Sequence, residues 1–372
     1  MRPTGKKILK KVFYVLYLFI VVVLVLEIIL RIYNPFPTGI KGEKIVLRIN
    51  TRYEIENNDI PVLEKRIIHS KNSMGFRGPE MPNDKNNWVR VFTVGGSTTE
   101  CTYLNDGKTW TDGLQNRIDS SLNNVWFNNA GLAGHSTFGH IILMNDYLVK
   151  LNPSIILMMT GVNDMGRNDL TASDKYSMKG TYGSFASFFT KNSELVNLFA
   201  NLLRAKRAKT NRLNDVWLDL KNYDSLIVSE TEMQAKLKEH QTKYLRGYSE
   251  RLDSIISICK QQKIQLVLVT QPALFGKGID SLTGTDLEKY KLFKDANGLT
   301  WWKSLELYND VTRSIAAKNN ILLIDLAVQL PKSSRYFYDM IHFTEEGAVK
   351  VSEIINKELT GYIIRMYPSH KN

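Results

Sequence analysis

Hydrophobic residues are distributed along this chain in two regimes. From Val12 to Leu26, VFYVLYLFIVVVLVL, nothing is charged, and after Glu27 the apolar character resumes through Ile28, Ile29 and Leu30 before Arg31. That span is about the 20 residues a bilayer core needs. From Val89 onward the pattern changes to short unbroken apolar runs alternating with longer stretches of helical periodicity. The runs Val89 to Val94, Val125 to Phe127, Ser154 to Met159, Gln265 to Thr270 and Ile321 to Ile324 read as strands. Helices are predicted over Trp110 to Leu122, Thr137 to Lys150, Gln241 to Gln261, Trp302 to Lys318 and Glu345 to Thr360. Strands apolar on both faces and alternating with helices predict a parallel sheet covered on both sides. In such sheets sites form beyond the carboxyl ends of the strands.

The first regime predicts an N-terminal transmembrane helix. Lysines precede it and no small-residue cleavage site follows, which favours an uncleaved anchor with a cytoplasmic N-terminus and an exported remainder. The organisation expected is a basic segment 1–11, an anchor 12–30, a juxtamembrane segment 31–88, a catalytic domain 89–362 and a tail 363–372. The juxtamembrane segment is polar, with a β-like piece from Lys44 to Ile49. Its NSMGFRG stretch, Asn72 to Gly78, reads as an ordered loop because two glycines bracket an aromatic and an arginine. An insertion of about 165–240 interrupts the domain at the rim where a lid or substrate wall would lie. It carries the aromatic-rich Tyr176 to Phe189, a basic cluster and an acidic amphipathic run, Asp215 to Leu226.

Composition adds little except in charge. With 43% hydrophobic and 23% charged residues the chain is an ordinary folded protein, but its net charge is +12. Much of the excess falls at Arg2, Lys6, Lys7, Lys10 and Lys11, and at Arg204, Lys206, Arg207, Lys209 and Arg212. Neither cluster has the spread of a nucleic-acid footprint, so no nucleic-acid partner is expected. The two cysteines, Cys101 and Cys259, lack metal-ligand spacing, and their separation neither requires nor forbids a disulfide. No metal or other cofactor is called for.

Candidate chemistry sits on the predicted loops. The first strand runs into Gly95-Gly96-Ser97-Thr98-Thr99, which delivers a serine at a strand tip where the glycines permit a sharp turn. Near the C-terminus, in YFYDMIHFTEEGA, Asp339 and His342 stand three residues apart. One turn of chain at that spacing brings the carboxylate to the imidazole Nδ1 and leaves Nε2 free as a base. Oxyanion donors are available at the backbone N–H of Ser97, the backbone N–H of Gly134 in NNAGLAGHST and the side-chain amide of Asn163 in TGVND. Singly, each has a plainer reading as turn or cap. Glu100, Cys101 and Gln271, close to the serine in sequence or by strand tip, read as structural.

In this order, GGSTT, NAGLAG, GVND and DMIH resemble the blocks of the SGNH (GDSL-type) hydrolase superfamily, over about residues 89–360. The resemblance implies a flavodoxin-like three-layer α/β/α sandwich with a central parallel sheet, here preceded by the transmembrane helix. It also implies catalytic Ser97, Asp339 and His342 and an oxyanion hole of Ser97, Gly134 and Asn163. Gly96 departs from the usual aspartate before the serine, which argues against transferring the substrates of the best-known lipase branches. The activity implied is hydrolysis of O-acyl esters, O-acetyl above all, on an envelope glycan or lipid. An O-acyltransferase with the same site is the nearest alternative. Others are a non-catalytic glycan-binding protein using Trp110, Trp301 and Trp302, and a phosphate-binding loop, disfavoured because no P-loop lysine follows.

Overall fold

The computed structural model describes residues 5–33, 40–41, 44–84, 87–118, 121–168, 192–210 and 217–371. The chain divides into two compact units, residues 1–46 with 175–214, and residues 47–174 with 215–372. In chain order come helix α1 (Gly5–Ile32), strands β1 (Thr51–Glu56) and β2 (Arg66–Lys71), and strand β3 (Val89–Gly95). Helices α2 (Ser97–Glu100) and α3 (Trp110–Ile118), strand β4 (Val125–Asn129), helix α4 (Thr137–Asp146) and strand β5 (Ile155–Thr160) follow. Next are helices α5 (Glu194–Thr210), α6 (Glu230–Lys243) and α7 (Leu245–Gln261). Strand β6 (Gln265–Thr270), helix α8 (Gly298–Lys318), strand β7 (Leu322–Ile324) and helix α9 (Glu345–Met366) complete the chain.

In the smaller unit, α1 is long and apolar enough to cross a membrane from Lys7 to Ile32, and its side chains are almost all exposed. Helix α5 packs against it. The Tyr176 to Phe189 stretch and Arg212 of the insertion lie outside the described residues.

The larger unit is built on a five-stranded parallel sheet in the order β7-β6-β5-β3-β4. Val91 of β3 pairs with Phe127 on one side and Ile155 on the other, so β3 is central. Ile155 pairs in turn with Gln265, and Val267 with Leu322. The five predicted strands are these five. Every residue of β4 and β5 is buried, as expected of strands covered on both faces. On one face Trp110, Leu114 and Ile118 of α3 pack with Val351, Ile355 and Leu359 of α9 over Val89, Val91, Leu157 and Val267. Helices α4, α7 and α8 pack side by side as the second helical group. The chain leaves β3 for β4 on one side and returns to β5 on the other. The tips of β3 and β5 therefore flank the point where strand order reverses, which is where doubly wound sheets bind ligands.

Two expectations need correction. The predicted helix from Gln241 to Gln261 is two, because the chain breaks at Tyr244 between α6 and α7; α6 begins earlier, at a capping box of Ser229 and Glu232. Residues 217–226 of the acidic run are irregular, and Ser225 bridges to Tyr290. In the polar spacer, the regular structure is the antiparallel β1–β2 hairpin, beyond the Lys44 to Ile49 piece, of which only Lys44–Ile45 is a strand.

Candidate active site

Strand β3 ends at Gly95, and Ser97 opens the four-residue helix α2 directly beyond it. Gly96 makes this possible by close approach. A β-carbon there would sit 2.2 Å from Asn163 Nδ2, so only a bare backbone lets the amide lie against the serine turn.

His342 lies in the bend that precedes α9, whose N-cap is Thr344. Its Nε2 is 2.7 Å from Ser97 Oγ and its Nδ1 is 2.6 Å from Asp339 Oδ2. The Asp339–His342 spacing works through an Asx-type turn rather than a helix. Asp339 Oδ1 accepts from the backbone N–H of Ile341 at 2.9 Å and of His342 at 2.7 Å, leaving Oδ2 for the ring. With Nδ1–H donated to the carboxylate, Nε2 is the acceptor for the serine hydroxyl. Tyr338 stacks on the imidazole, with ring centroids 5.6 Å apart and planes 13° from parallel, fixing its plane.

The loops after β4 and β5 close the other side. Asn163 Nδ2 donates to His135 O at 2.9 Å, and an amide nitrogen has a second N–H to give. Asp164 beside it is buried. It accepts from Thr137 N at the start of α4 and pairs with Arg251 Nη2 at 3.1 Å, which pins the turn carrying Asn163. Burial holds the Asp164 carboxyl above its ordinary range in spite of that arginine. Gly134 takes φ +81°, a left-handed backbone that glycine adopts without strain. Its loop is stitched to the serine turn: Leu132 N donates to Gly95 O at 3.0 Å, and Ala133 N to Glu100 Oε2 at 2.7 Å. Ser97, His342 and Asp339 are thus linked in a chain through the two nitrogens of the imidazole, Asn163 abuts the serine turn, and Gly134 lies next to a residue bonded to α2.

Beneath the serine helix is a polar cluster that sequence reasoning left without a role. Arg77, 2% exposed, fans its guanidinium over the end of α2. Nη1 donates to Glu100 O at 2.9 Å and Cys101 O at 2.6 Å, and Nη2 to Leu104 O at 2.8 Å and Asp106 Oδ1 at 3.0 Å. Lys71 Nζ pairs with Glu100 Oε1 at 2.8 Å. Burial alone would raise the Glu100 carboxyl, but Lys71 and the Ala133 N–H outweigh it and hold the group at about 2. The signal was the bracketed NSMGFRG motif, which marked order but not what was being ordered. Thr98 Oγ1 donates to Gln271 Oε1 at 3.0 Å.

The serine and histidine face a small cleft lined also by Thr98, Cys101, Tyr103, Leu104, Tyr338 and Phe343. Cys101 is a free, buried thiol pushed up to about 12 by burial, and Cys259 is likewise free and buried, so the two do not pair. Trp110 is fully buried, its Nε1 donating to Thr98 O, and belongs to the core.

Residues 93–349, more than half the chain, match the GDSL-like lipase/acylhydrolase family. The chain belongs to that family and is an ester-hydrolysing enzyme. Solved structures that resemble it include the lipase/acylhydrolase from Enterococcus faecalis, at 15% identity over 73% of this chain and 96% of that one, TM-score 0.41. Another is an acetylxylan esterase from Geobacillus stearothermophilus, at 13% identity over 73% of this chain and 94% of that one, TM-score 0.41. Comparison with curated protein sequences gives no match.

Proposed function

We propose that this enzyme is a membrane-anchored serine esterase that removes short acyl groups, acetyl above all, from O-acyl esters of an envelope glycan or lipid. The observation that carries the reading is the Ser97–His342–Asp339 relay opening on a small cleft walled by Cys101, Tyr103, Leu104, Tyr338 and Phe343. His342 Nε2 takes the serine proton as Oγ attacks the ester carbonyl, while Asp339 orients the ring and steadies the imidazolium. The oxyanion is met by the Ser97 and Gly134 backbone N–H groups and the free N–H of the Asn163 amide. Each such donor is worth roughly 3 to 4 kcal/mol of barrier. His342 then protonates the departing alcohol, and water, activated by the same imidazole, releases the acyl group from Ser97. The apolar walls suit an acyl methyl, and their closeness to the serine disfavours a long chain. Basic residues in the first turns of α1, ahead of its uncharged stretch, support a cytoplasmic N-terminus with the catalytic unit on the opposite side.

Turnover of p-nitrophenyl acetate, butyrate and octanoate by the detergent-solubilised full chain tests this. Acetate is expected to be the best of the three, with an acetyl group on Ser97 found by mass spectrometry after acid quench. Ser97→Ala is expected to lose about 10⁴-fold or more in kcat. Parent-rate hydrolysis by that variant would remove Ser97 as nucleophile, and faster turnover of octanoate would remove the short-acyl assignment.

A further inference from the structure

Three features remain outside the catalytic account: an acid within an otherwise apolar helix, a basic cluster in the insertion, and an amphipathic helix between them. All three meet in the smaller unit. Glu27 of α1 caps the N-terminus of α5. Its Oε1 accepts from Glu194 N at 3.0 Å, and its Oε2 from Ser193 Oγ at 2.8 Å and Leu195 N at 3.1 Å. Arg31, one turn further along α1, pairs with Glu27 at 2.9 Å and donates Nη2 to Asn192 O at 2.5 Å. The acid and the arginine of the anchor are therefore committed to holding the start of α5, by the same logic as any acidic cap.

Where this places α5 follows from helix geometry. The uncharged stretch is bounded by Lys11 and Glu27, 16 steps along the helix and about 24 Å at the helical rise, a little under one hydrocarbon thickness. With Lys11 at one interface, Glu27 and the first turn of α5 stand at the opposite edge of the hydrocarbon. Asn197 and Ala200 of α5 are buried, whereas Phe199 is 62% exposed, Leu202 54% and Leu203 59%, with Val196 beside them. Positions 196, 199 and 203 share one helical face, with 202 at its edge. The helix sequence then continues into Arg204, Lys206, Arg207 and Lys209. An exposed apolar face followed in sequence by a run of arginine and lysine suits a helix that starts in the acyl boundary and runs on toward anionic headgroups.

We infer that α5 is an interfacial helix: Glu27 seats its start on the anchor, Val196, Phe199, Leu202 and Leu203 enter the outer acyl boundary, and the basic half binds anionic headgroups. The inference rests on α1 spanning a bilayer. Its occupant is lipid, because the apolar face is continuous with an anchor whose own surface is apolar and exposed, and because the adjoining charge is of one sign. It accounts for the second basic cluster and gives Glu27, at the edge of the hydrocarbon, the hydrogen-bond partners an acid there needs.

The test uses the full chain in vesicles of mixed neutral and anionic lipid, with an environment-sensitive fluorophore on one introduced cysteine. The native cysteines are buried. Labels are placed at Phe199→Cys, Leu203→Cys, Phe19→Cys in mid-anchor, and Lys318→Cys, exposed in the catalytic unit. The expected result is strong quenching at positions 199 and 203 by a nitroxide near the headgroups, strong quenching at 19 by one deep in the acyl chains, and little at 318. Replacing Arg204, Lys206, Arg207 and Lys209 by glutamine is expected to reduce quenching at 199 and 203 in anionic vesicles while leaving 19 unchanged. Quenching at 19 with none at 199 and 203 would overturn the inference and leave the anchor standing. A blue-shifted but unquenched label at 199 means that protein, a second copy for instance, covers the face, which also overturns it. Loss of quenching at 19 would remove the anchor and the inference together.

Discussion

Arg77 lies outside the segment that matches the family, yet the serine helix ends on its guanidinium. Consider Arg77→Lys, which keeps the charge and most of the length. The planar fork reaches Glu100 O, Cys101 O, Leu104 O and Asp106 at once, whereas an ammonium is a single point and can serve one edge of that fan. About two charge-assisted bonds to carbonyls are lost, each worth roughly 1.5 to 3 kcal/mol when buried, giving about 3 to 6 kcal/mol. The Asp106 pair, half open to solvent, adds little. Glu100 O and Cys101 O are the last carbonyls of the helix whose first residue is Ser97, so their release shifts the hydroxyl relative to His342 Nε2. A displacement approaching 1 Å costs on the order of 100-fold in rate. The expected outcome is a urea midpoint well below the parent's, and a kcat on p-nitrophenyl acetate reduced about 100-fold with KM little changed. Should the lysine variant unfold with the parent and turn over at the parent rate, the fan of hydrogen bonds does not position the nucleophile.

Further outcomes follow from other contacts. Gly96→Ala drives a methyl into Asn163 Nδ2, so its kcat is expected to fall by 10²- to 10³-fold, about as much as that of Asn163→Ala. The double variant should be little worse than either single one, and additive losses in a double-mutant cycle would mean the two act separately. Because Glu100 is held at about 2 against an ordinary 4.5, its contribution to stability is complete above pH 4.5 and is lost as pH falls toward 2. Glu100→Gln is expected to flatten the fall of the urea midpoint across that acid window; an unchanged slope would assign the acid sensitivity elsewhere. Both thiols being buried, with Cys101 raised to about 12, a disulfide-exchange reagent is expected to titrate neither in the native chain and both after unfolding. Prompt reaction of one thiol under native conditions would contradict the packing around it.

Much of the architecture was legible because buried strands write themselves as short apolar runs. All five sheet strands and the glycine-rich turns at three of their tips could be read this way. The chemistry was readable for a similar reason: a serine after paired glycines, a glycine loop, an asparagine and an Asp-x-x-His have few joint explanations when they fall in order on successive tips. What periodicity cannot convey is which loops meet. The 2.7 Å approach of His342 to Ser97 joins residues 245 positions apart and exists because β3 lies centrally between β4 and β5. The same holds for Lys71 and Arg77, polar residues in a segment that read as a spacer. Their burial under α2 turns two charges into supports for the turn that carries Ser97, and no local pattern records that. Glu27 is the third case: along the chain it is a lone acid in an apolar helix, and only the packing of α5 against α1 supplies the N–H groups it accepts from. The amino-acid order determined the elements and the reactive groups, since both depend on near neighbours. Partnership between distant charges depends on where burial places them, and that was decided by the tertiary structure alone.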